Sequence, residues 1–218
     1  MRVVIAGGHG KIALLLERHL SERGDIAVGL IRNPDHVDDL RAAGATAVVC
    51  DLEHADVDEV AAHLHDTDAV IFAAGAGPGS GAARKDTVDR AAAALLADAA
   101  TRAGVHRYLL VSSMGVDAPP SAGTDDVWAA YLRAKRAAED DLRARDLAWT
   151  VLRPGRLTDH EATGHVTLTR HAGRGAISRA DVALVLAALL HEPRTAGATL
   201  ELVEGPTPIA DAVRAHTT

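Results

Sequence analysis

Residues 2–16 read RVVIAGGHGKIALLL, and this stretch decides the fold. RVVIA is a short β-branched apolar run, the pattern of a buried strand. GGHG follows it. From there Ile12, Leu15, Leu16 and Leu20 recur at helical spacing, and Gly24 stops the helix. The chain therefore opens as strand, glycine turn, helix. Across the turn, Gly7, Gly10 and Ala13 form the pattern G-x-x-G-x-x-A. Glycine permits a tight turn there, and backbone amides at the positive end of a helix can approach a pyrophosphate. The segment Gly7, Gly8, His9, Gly10, Lys11 and Ile12 is the first candidate site. Lys11 has two readings, a phosphate contact or a solvated lysine at a helix start.

The alternation continues along the chain. Strands are expected over 26–31, 46–50, 69–73, 108–111 and 149–152. Asn33 and Pro34 open a helix that ends near Gly44, and further helices are expected over 57–64, 82–103 and 127–145. Beyond residue 152 the pattern weakens to a strand at 166–169, a helix at 179–191, a strand at 199–203 and a helix at 208–215. Residues 158–176, rich in glycine and histidine, read as a loop region beside a ligand. The fold class is α/β, a doubly wound parallel sheet covered on both faces. One domain spans 1–218, with about 156–178 and 204–218 forming a small C-terminal substrate lobe. Ligands in such sheets bind at the carboxyl ends of the strands.

Composition narrows the function. The chain has 218 residues, a net charge of −7 and only 2% aromatic residues. That charge has the wrong sign for a nucleic-acid backbone or an anionic membrane, and there is little surface for base stacking. No nucleic-acid or membrane partner is expected. The longest apolar run, 182–190, falls well short of the ~20 residues of a membrane helix. No signal peptide is expected either. The single cysteine, Cys50, excludes an intramolecular disulfide and fits a cytoplasmic protein. The alanine-rich face over 91–100 packs on the sheet or on a partner, and the oligomeric state is not readable.

Arg32 stands at the tip of the second strand, in LIRNPD. An acid is usual there when bare ribose hydroxyls are bound. A guanidinium suits a 2′-phosphate instead, so the cofactor expected is NADP(H). Asp51, at the end of the third strand, either accepts from an adenine amino group, with Leu52 against the ring, or caps the following helix.

The helix expected over 127–145 carries Tyr131 and Lys135 one turn apart, in YLRAK. Its apolar stripe reads Val127, Tyr131, Ala134, Ala138 and Leu142, and Lys135 lies about 40° round from Tyr131. A charge that close to a buried stripe breaks the local pattern. A phenol titrates near ~10, and a neighbouring ammonium lowers that value. The plain alternative is a half-buried tyrosine beside a snorkelling lysine. The fifth strand ends in VSSMG. A serine there, Ser113 by preference over Ser112, can donate to a substrate oxygen as charge develops, or simply close a turn.

With these residues the chain resembles the short-chain dehydrogenase/reductase superfamily. It is most similar to the atypical single-domain NAD(P)H-binding branch that includes the biliverdin reductase B and NmrA-like types. The resemblance rests on AGGHGKIA, LIRNPD, DL at 51–52, FAAG at 72–75, AGVHRYLLVSSMG, YLRAKRAAEDDLR, WTVLRPGRLTD and ISRADVA. It implies a Rossmann-like fold, with Gly7, Gly10 and Ala13 at the pyrophosphate. Arg32 would hold the 2′-phosphate, Asp51 and Leu52 the adenine, and Ala73, Ala74 and Gly75 the adenosine ribose. Pro154 and Gly155 would lie beside the nicotinamide. Ser113, Tyr131 and Lys135 would be the catalytic trio. Two departures stand out: alanine replaces the third glycine, and Ser113 and Tyr131 are 18 residues apart, intermediate for the superfamily.

The expected function is an NADP(H)-dependent oxidoreductase acting on a small carbonyl-type, quinone or flavin acceptor. The alternative is a non-catalytic NADP(H)-binding redox sensor of the NmrA-like type. A sugar-nucleotide epimerase ranks last, because the chain is short for the large substrate lobe of those enzymes. His160, His165 and His171 share a loop region but show no metal-ligand spacing, so no metal is expected.

Overall fold

The structure, a computed structural model, describes residues 1–77, 79–118 and 125–216. Its centre is a nine-stranded sheet. Six parallel strands form the frame: β1 (Arg2–Ala6), β2 (Ile26–Ile31), β3 (Thr46–Val49), β4 (Ala69–Phe72), β5 (Arg107–Val111) and β6 (Ala148–Pro154). Their order is β3-β2-β1-β4-β5-β6, so the chain reverses direction across the sheet between β1 and β4. That is the doubly wound arrangement, with its ligand crevice at the reversal. β10 (Ala198–Glu204) continues the sheet parallel to β6. β8 (His165–Thr169) then runs antiparallel to β10, and β11 (Thr207–Pro208) antiparallel to β8.

The strands are continuous apolar runs because both faces are covered. On one face, Val3, Ile5, Ile71 and Leu109 pack with α1 (Lys11–Glu22), α7 (Arg179–Leu190) and α8 (Ile209–Arg214). On the other, Val4, Val70, Phe72 and Tyr108 pack with α3 (Val57–His63), α5 (Ala92–Ala103) and α6 (Asp126–Arg143). The alanine-rich face of α5 is therefore spent on the sheet: Ala92, Ala93, Ala97, Ala99 and Ala100 are all buried. No helix among the described residues is long and apolar enough to cross a membrane.

Three stretches differ from the sequence expectations. The helix expected over 82–103 is α4 (Ala82–Arg84), a π-helical section at Lys85–Ala91, and then α5. The glycine- and histidine-rich stretch 158–176 holds the strand expected at 166–169, as β8, but is more ordered at its ends than a loop. It is flanked by β7 (Arg156–Thr158) and β9 (Ala176–Ser178), which pair as a separate two-stranded parallel sheet. These strands are short, and nothing in their own residues fixes the pairing. On α6, the inward face is Leu132, Lys135, Glu139 and Leu142, while Val127 and Tyr131 are only half-buried. Lys135 thus lies in the middle of the buried stripe rather than at its edge.

Candidate functional site

Two clefts open at the carboxyl ends of the strands, and they meet at Ala73, Ala74, Gly75 and Ala76. The first has a volume of about 330 Å³ and the second about 520 Å³. The join lies directly after β4, on one side of the reversal point.

The glycine turn forms one wall of the first cleft. Gly7 has φ +80, and a Cβ on it would come within 2.6 Å of the Ala74 backbone. Glycine is required here both for conformation and for space. Gly10 is the residue that caps α1, and its amide donates to Gly7 O at 2.8 Å. No side chain caps this helix and no acid sits in its first turn. The exposed helix amides and the space above glycine form a cradle for an anionic oxygen, so the residues fit a dinucleotide pyrophosphate. Gly8 plays a different part. It lines neither cleft, and its Cα packs so closely on Gly29 of β2 that a Cβ would lie 2.7 Å away. Ile12 lines the second cleft. Lys11 lines neither; it points to the C-terminal lobe, where its ammonium pairs with Asp159 at 2.7 Å.

Arg32, Asp51, Leu52 and His9 all line the first cleft. His9 stacks on His36 with ring centroids 3.5 Å apart and bonds Asp39. Asp51 accepts from the Glu53 amide at 3.0 Å and pairs with His54. Burial works against its ionisation, but the Glu53 amide, His54 and Arg32 outweigh burial and hold the carboxyl below the usual range. The helix α3 is capped by Asp56, not by Asp51.

The sequence reading missed two residues on this wall. Glu53 lies between Arg32, at 3.4 Å, and Arg84, whose guanidinium bonds it more closely. Thr87 Oγ1 adds a third bond at 2.7 Å. The Arg84 hydrogen bond chiefly holds the Glu53 carboxyl below its ordinary value. Arg84 is the last residue of α4, 52 positions after Arg32, so no local pattern announces it.

The second cleft collects Ser113, Tyr131, Lys135, Pro154 and Gly155, together with Lys85, Asp89, Trp128 and Leu157. Among the described residues, the Tyr131 hydroxyl has no hydrogen-bond partner. Trp128 stacks on the Tyr131 ring at 5.0 Å. Ser113 Oγ donates to Met114 O at 3.1 Å, a bond it can exchange for another acceptor by rotating. Ser112 is buried and committed: its hydroxyl donates to Glu139, which also takes two bonds from Arg153 at 2.9 and 2.6 Å. Of the two serines, Ser113 is the one with freedom to act. Lys135 Nζ donates to Val111 O at 3.0 Å, lies 3.2 Å from Asp89 Oδ1, and sits 5.9 Å from the centre of the Tyr131 ring.

The sequence is irregular over 118–128, a stretch suited to a substrate pocket, and of it 119–124 lie outside the described residues. Of the loop histidines, His160 lies beside Lys11 and Asp159, while His165 bonds Thr163 O at 2.9 Å. Among the described residues the one cluster with ligand atoms mutually within 4.8 Å is Cys50, Glu59 and His63. Burial pushes the Cys50 thiol up to about 11, which disfavours the thiolate a metal would need.

Comparison with known proteins agrees with this geometry. The model of a family described as NAD(P)H-binding matches residues 7–193. A Bacillus subtilis protein named as an uncharacterized sugar epimerase, YhfK, is 35% identical over 215 residues, covering 98% of this chain and 99% of that protein. A solved Bacillus halodurans structure, whose name of NAD-dependent epimerase/dehydratase is itself provisional, is 37% identical with a TM-score of 0.91 and 99% of each chain covered. The oxidoreductase ylbE of Lactococcus lactis superposes with a TM-score of 0.87 at 27% identity, over 99% of this chain and 96% of that one.

Proposed function

Because the chain belongs to the NAD(P)H-binding family, with the Rossmann fold of short-chain dehydrogenase/reductase relatives, we propose that it is an NADP(H)-dependent oxidoreductase. Its acceptor is a small carbonyl-type compound, a quinone or a flavin. One observation carries the reading: the glycine cradle and Arg32 share a continuous crevice with Ser113 and Tyr131, joined at Ala73, Ala74, Gly75 and Ala76.

Gly7 and Gly10 bring backbone amides to the pyrophosphate, and Arg32 offers its exposed guanidinium to a 2′-phosphate. Asp51 and Leu52 bound the adenine, while Pro154 and Gly155 bound the nicotinamide end. When bound, the cofactor supplies or takes up a hydride. Tyr131 moves the matching proton to or from the acceptor oxygen, and Ser113 donates a hydrogen bond to that oxygen as it gains charge. Lys135 holds the floor beneath them through Val111 O and Asp89. Apolar Val127, Trp128 and Leu157 keep water from the reacting face.

The test has two parts. Calorimetric titration of NADPH and NADH reads the cofactor. A spectrophotometric screen of aldehydes, ketones, quinones and flavins reads net NADPH oxidation. Binding without oxidation of any acceptor favours the sensor reading, in which Tyr131 is idle.

The names borne by the Bacillus relatives favour a second reading, an epimerase. An epimerase returns its hydride within one turnover, so it inverts a sugar-nucleotide stereocentre with no net change in NADPH absorbance. Incubation of UDP-glucose and related sugar nucleotides with catalytic NADP⁺, followed by chromatography, separates the two.

A further inference from the structure

Lys85 is one of three lysines in the chain, and the π-helical section Lys85–Ala91 places it in the second cleft. π-Turns inside helices recur at functional sites, because the wider turn re-aims side chains. This one buries Lys85 and Asp89 together. The Lys85 side chain is 8% exposed, yet its ammonium makes one hydrogen bond among the described residues, to Gly77 O at 2.9 Å. No carboxylate of the described residues pairs with it. Asp89, one helical turn on, is taken by Lys135 and by the Ala76 amide. Asp86 is taken by Arg90, and Asp125, on the cleft's edge, caps α6 through the Trp128 amide.

A nearly buried ammonium has three donors to satisfy and a charge to offset. Lys85 has one donor in use and, among the described residues, only the face of the Tyr131 ring and no carboxylate to offset its charge. Its Nζ lies over the Tyr131 ring, 5.4 Å from the ring centre, and both residues line the second cleft. Tyr131 and Trp128 form a stacked pair beside it, and Trp128 is 49% exposed. The chain has only five aromatic residues other than histidine, and two of them are on this wall.

Resting on the reading of this cleft as the acceptor site, we propose that Lys85 recognises a carboxylate on the acceptor, whose flat apolar body lies along Trp128 and Tyr131. Lys85 is then a specificity-determining residue. The substrate class is an unsaturated or aromatic carboxylic acid bearing the reducible group at its far end. An anionic oxygen could also come from the cofactor's pyrophosphate, and the experiment separates these sources.

Protein saturated with NADP⁺ is titrated by calorimetry with benzoate and with benzamide, and NADPH oxidation is followed with 4-carboxybenzaldehyde and with its methyl ester. Lys85→Met, Lys85→Gln and Lys85→Arg are compared with the unsubstituted chain, with circular dichroism as the check on folding. The expected result is tighter binding of benzoate than of benzamide. Lys85→Met and Lys85→Gln should weaken benzoate about 10- to 100-fold, Lys85→Arg should keep most of the affinity, and NADP⁺ affinity should stay within about twofold. The KM for the carboxylated aldehyde should rise in parallel while that for the ester does not. Equal binding of benzoate and benzamide, or benzoate binding indifferent to Lys85, overturns the proposal. So does a loss of NADP⁺ affinity in folded Lys85→Met, which gives the lysine to the cofactor. If NADP⁺ fails to bind the unsubstituted chain, the dinucleotide reading itself fails, a result distinct from any of these.

Discussion

Lys135 Nζ lies 3.2 Å from Asp89 Oδ1, with both side chains out of solvent. The same ammonium donates to Val111 O, at the end of β5. It also sits 3.4 Å from Ala74 O, in the loop after β4. One lysine on α6 thus ties together the π-helical section and two strand ends at the point where the two clefts join. Its charge is balanced before any substrate arrives. The ammonium is therefore closer to the Asp89 carboxylate than to the centre of the Tyr131 ring, 5.9 Å away.

A balanced buried pair predicts a non-additive response. Lys135→Met leaves the Asp89 carboxylate buried with only the Ala76 amide, and Asp89→Asn leaves the ammonium with only carbonyl oxygens. Each single substitution should cost about 3–5 kcal/mol. The double variant should recover most of that, since no uncompensated charge remains. Urea denaturation of the four proteins measures the coupling. Additive losses would mean that the two groups do not sense each other.

The rim of the first cleft predicts an unusual effect on cofactor choice. Arg32→Ala should weaken NADPH about 10- to 100-fold and leave NADH nearly unchanged. Glu53 holds Arg84 and touches Arg32, so Glu53→Gln should release both guanidiniums and tighten NADPH. Paired titrations of both cofactors against the three proteins decide the matter. Equal affinity of the unsubstituted chain for NADPH and NADH would remove Arg32 from the role.

At the glycine cradle, Gly10→Asp should separate folding from binding. Gly10 already has the extended backbone of a helix cap, φ −65 and ψ 148. Aspartate is a favoured cap there, so α1 should persist. Its carboxylate would meet the pyrophosphate where only amides now point, and dinucleotide binding should vanish. Circular dichroism and calorimetry read the two halves. Undiminished binding by the folded variant would move the cofactor elsewhere.

Glu17 predicts a pH effect unconnected with catalysis. It is fully buried on α1, neither carboxyl oxygen has a hydrogen-bond partner among the described residues, and Oε1 stands 2.5 Å from where a Cβ on Gly29 would be. Burial raises its pKa from 4.5 to about 8. Folded Glu17 is therefore protonated at neutral pH while unfolded Glu17 is ionised, so the unfolded state binds fewer protons. Stability falls as pH rises from about 4.5 to about 8. Glu17→Gln should match the unsubstituted chain near pH 4.5 and exceed it above pH 8, by on the order of 5 kcal/mol at most. Denaturation across that range shows the divergence, and parallel curves would refute it.

What was legible in the sequence follows from where the information lies. β1 and β2 match their expected bounds residue for residue, because a buried parallel strand is an apolar run cut off by glycine or a charge. That the glycine turn, Arg32, Ser113 and Tyr131 line the two clefts follows from their positions at strand ends and on one helix face. Illegible were the groups whose meaning depends on distant partners. Arg84 matters only because Glu53, 31 residues earlier, folds against it. Lys135 looked like a charge at the edge of a stripe because Asp89 and Val111, which satisfy it, are far away in sequence. Glu17 carries a charge that belongs in solvent, and it is the packing of α1 against Gly29 of β2 that buries it. β7 and β9 are three residues each and pair only with one another, so no periodicity reports them.

Tyr131→Phe separates enzyme from sensor. Tyr131 lies on α6 at the mouth of the second cleft, half-buried, with a hydroxyl that bonds nothing among the described residues. A phenol held free in such a place has either a proton to transfer or no task at all. Phenylalanine keeps the ring, its stacking on Trp128 and the cleft's shape, so NADPH affinity and thermal stability should be unchanged. If Tyr131 carries the proton, turnover with the best acceptor should fall by about 10²–10⁴. Lys135 offers an internal comparison. Lys135→Met disturbs the cleft floor and should lower both stability and turnover, whereas Tyr131→Phe should touch turnover alone. Stopped-flow measurement of a single turnover from pre-bound NADPH keeps product release out of the comparison. Equal single-turnover rates for Tyr131→Phe and the unsubstituted chain would show that the acceptor takes its proton from solvent. Hydride transfer would then depend on the placement of the two ligands in the crevice and on no acid of the protein.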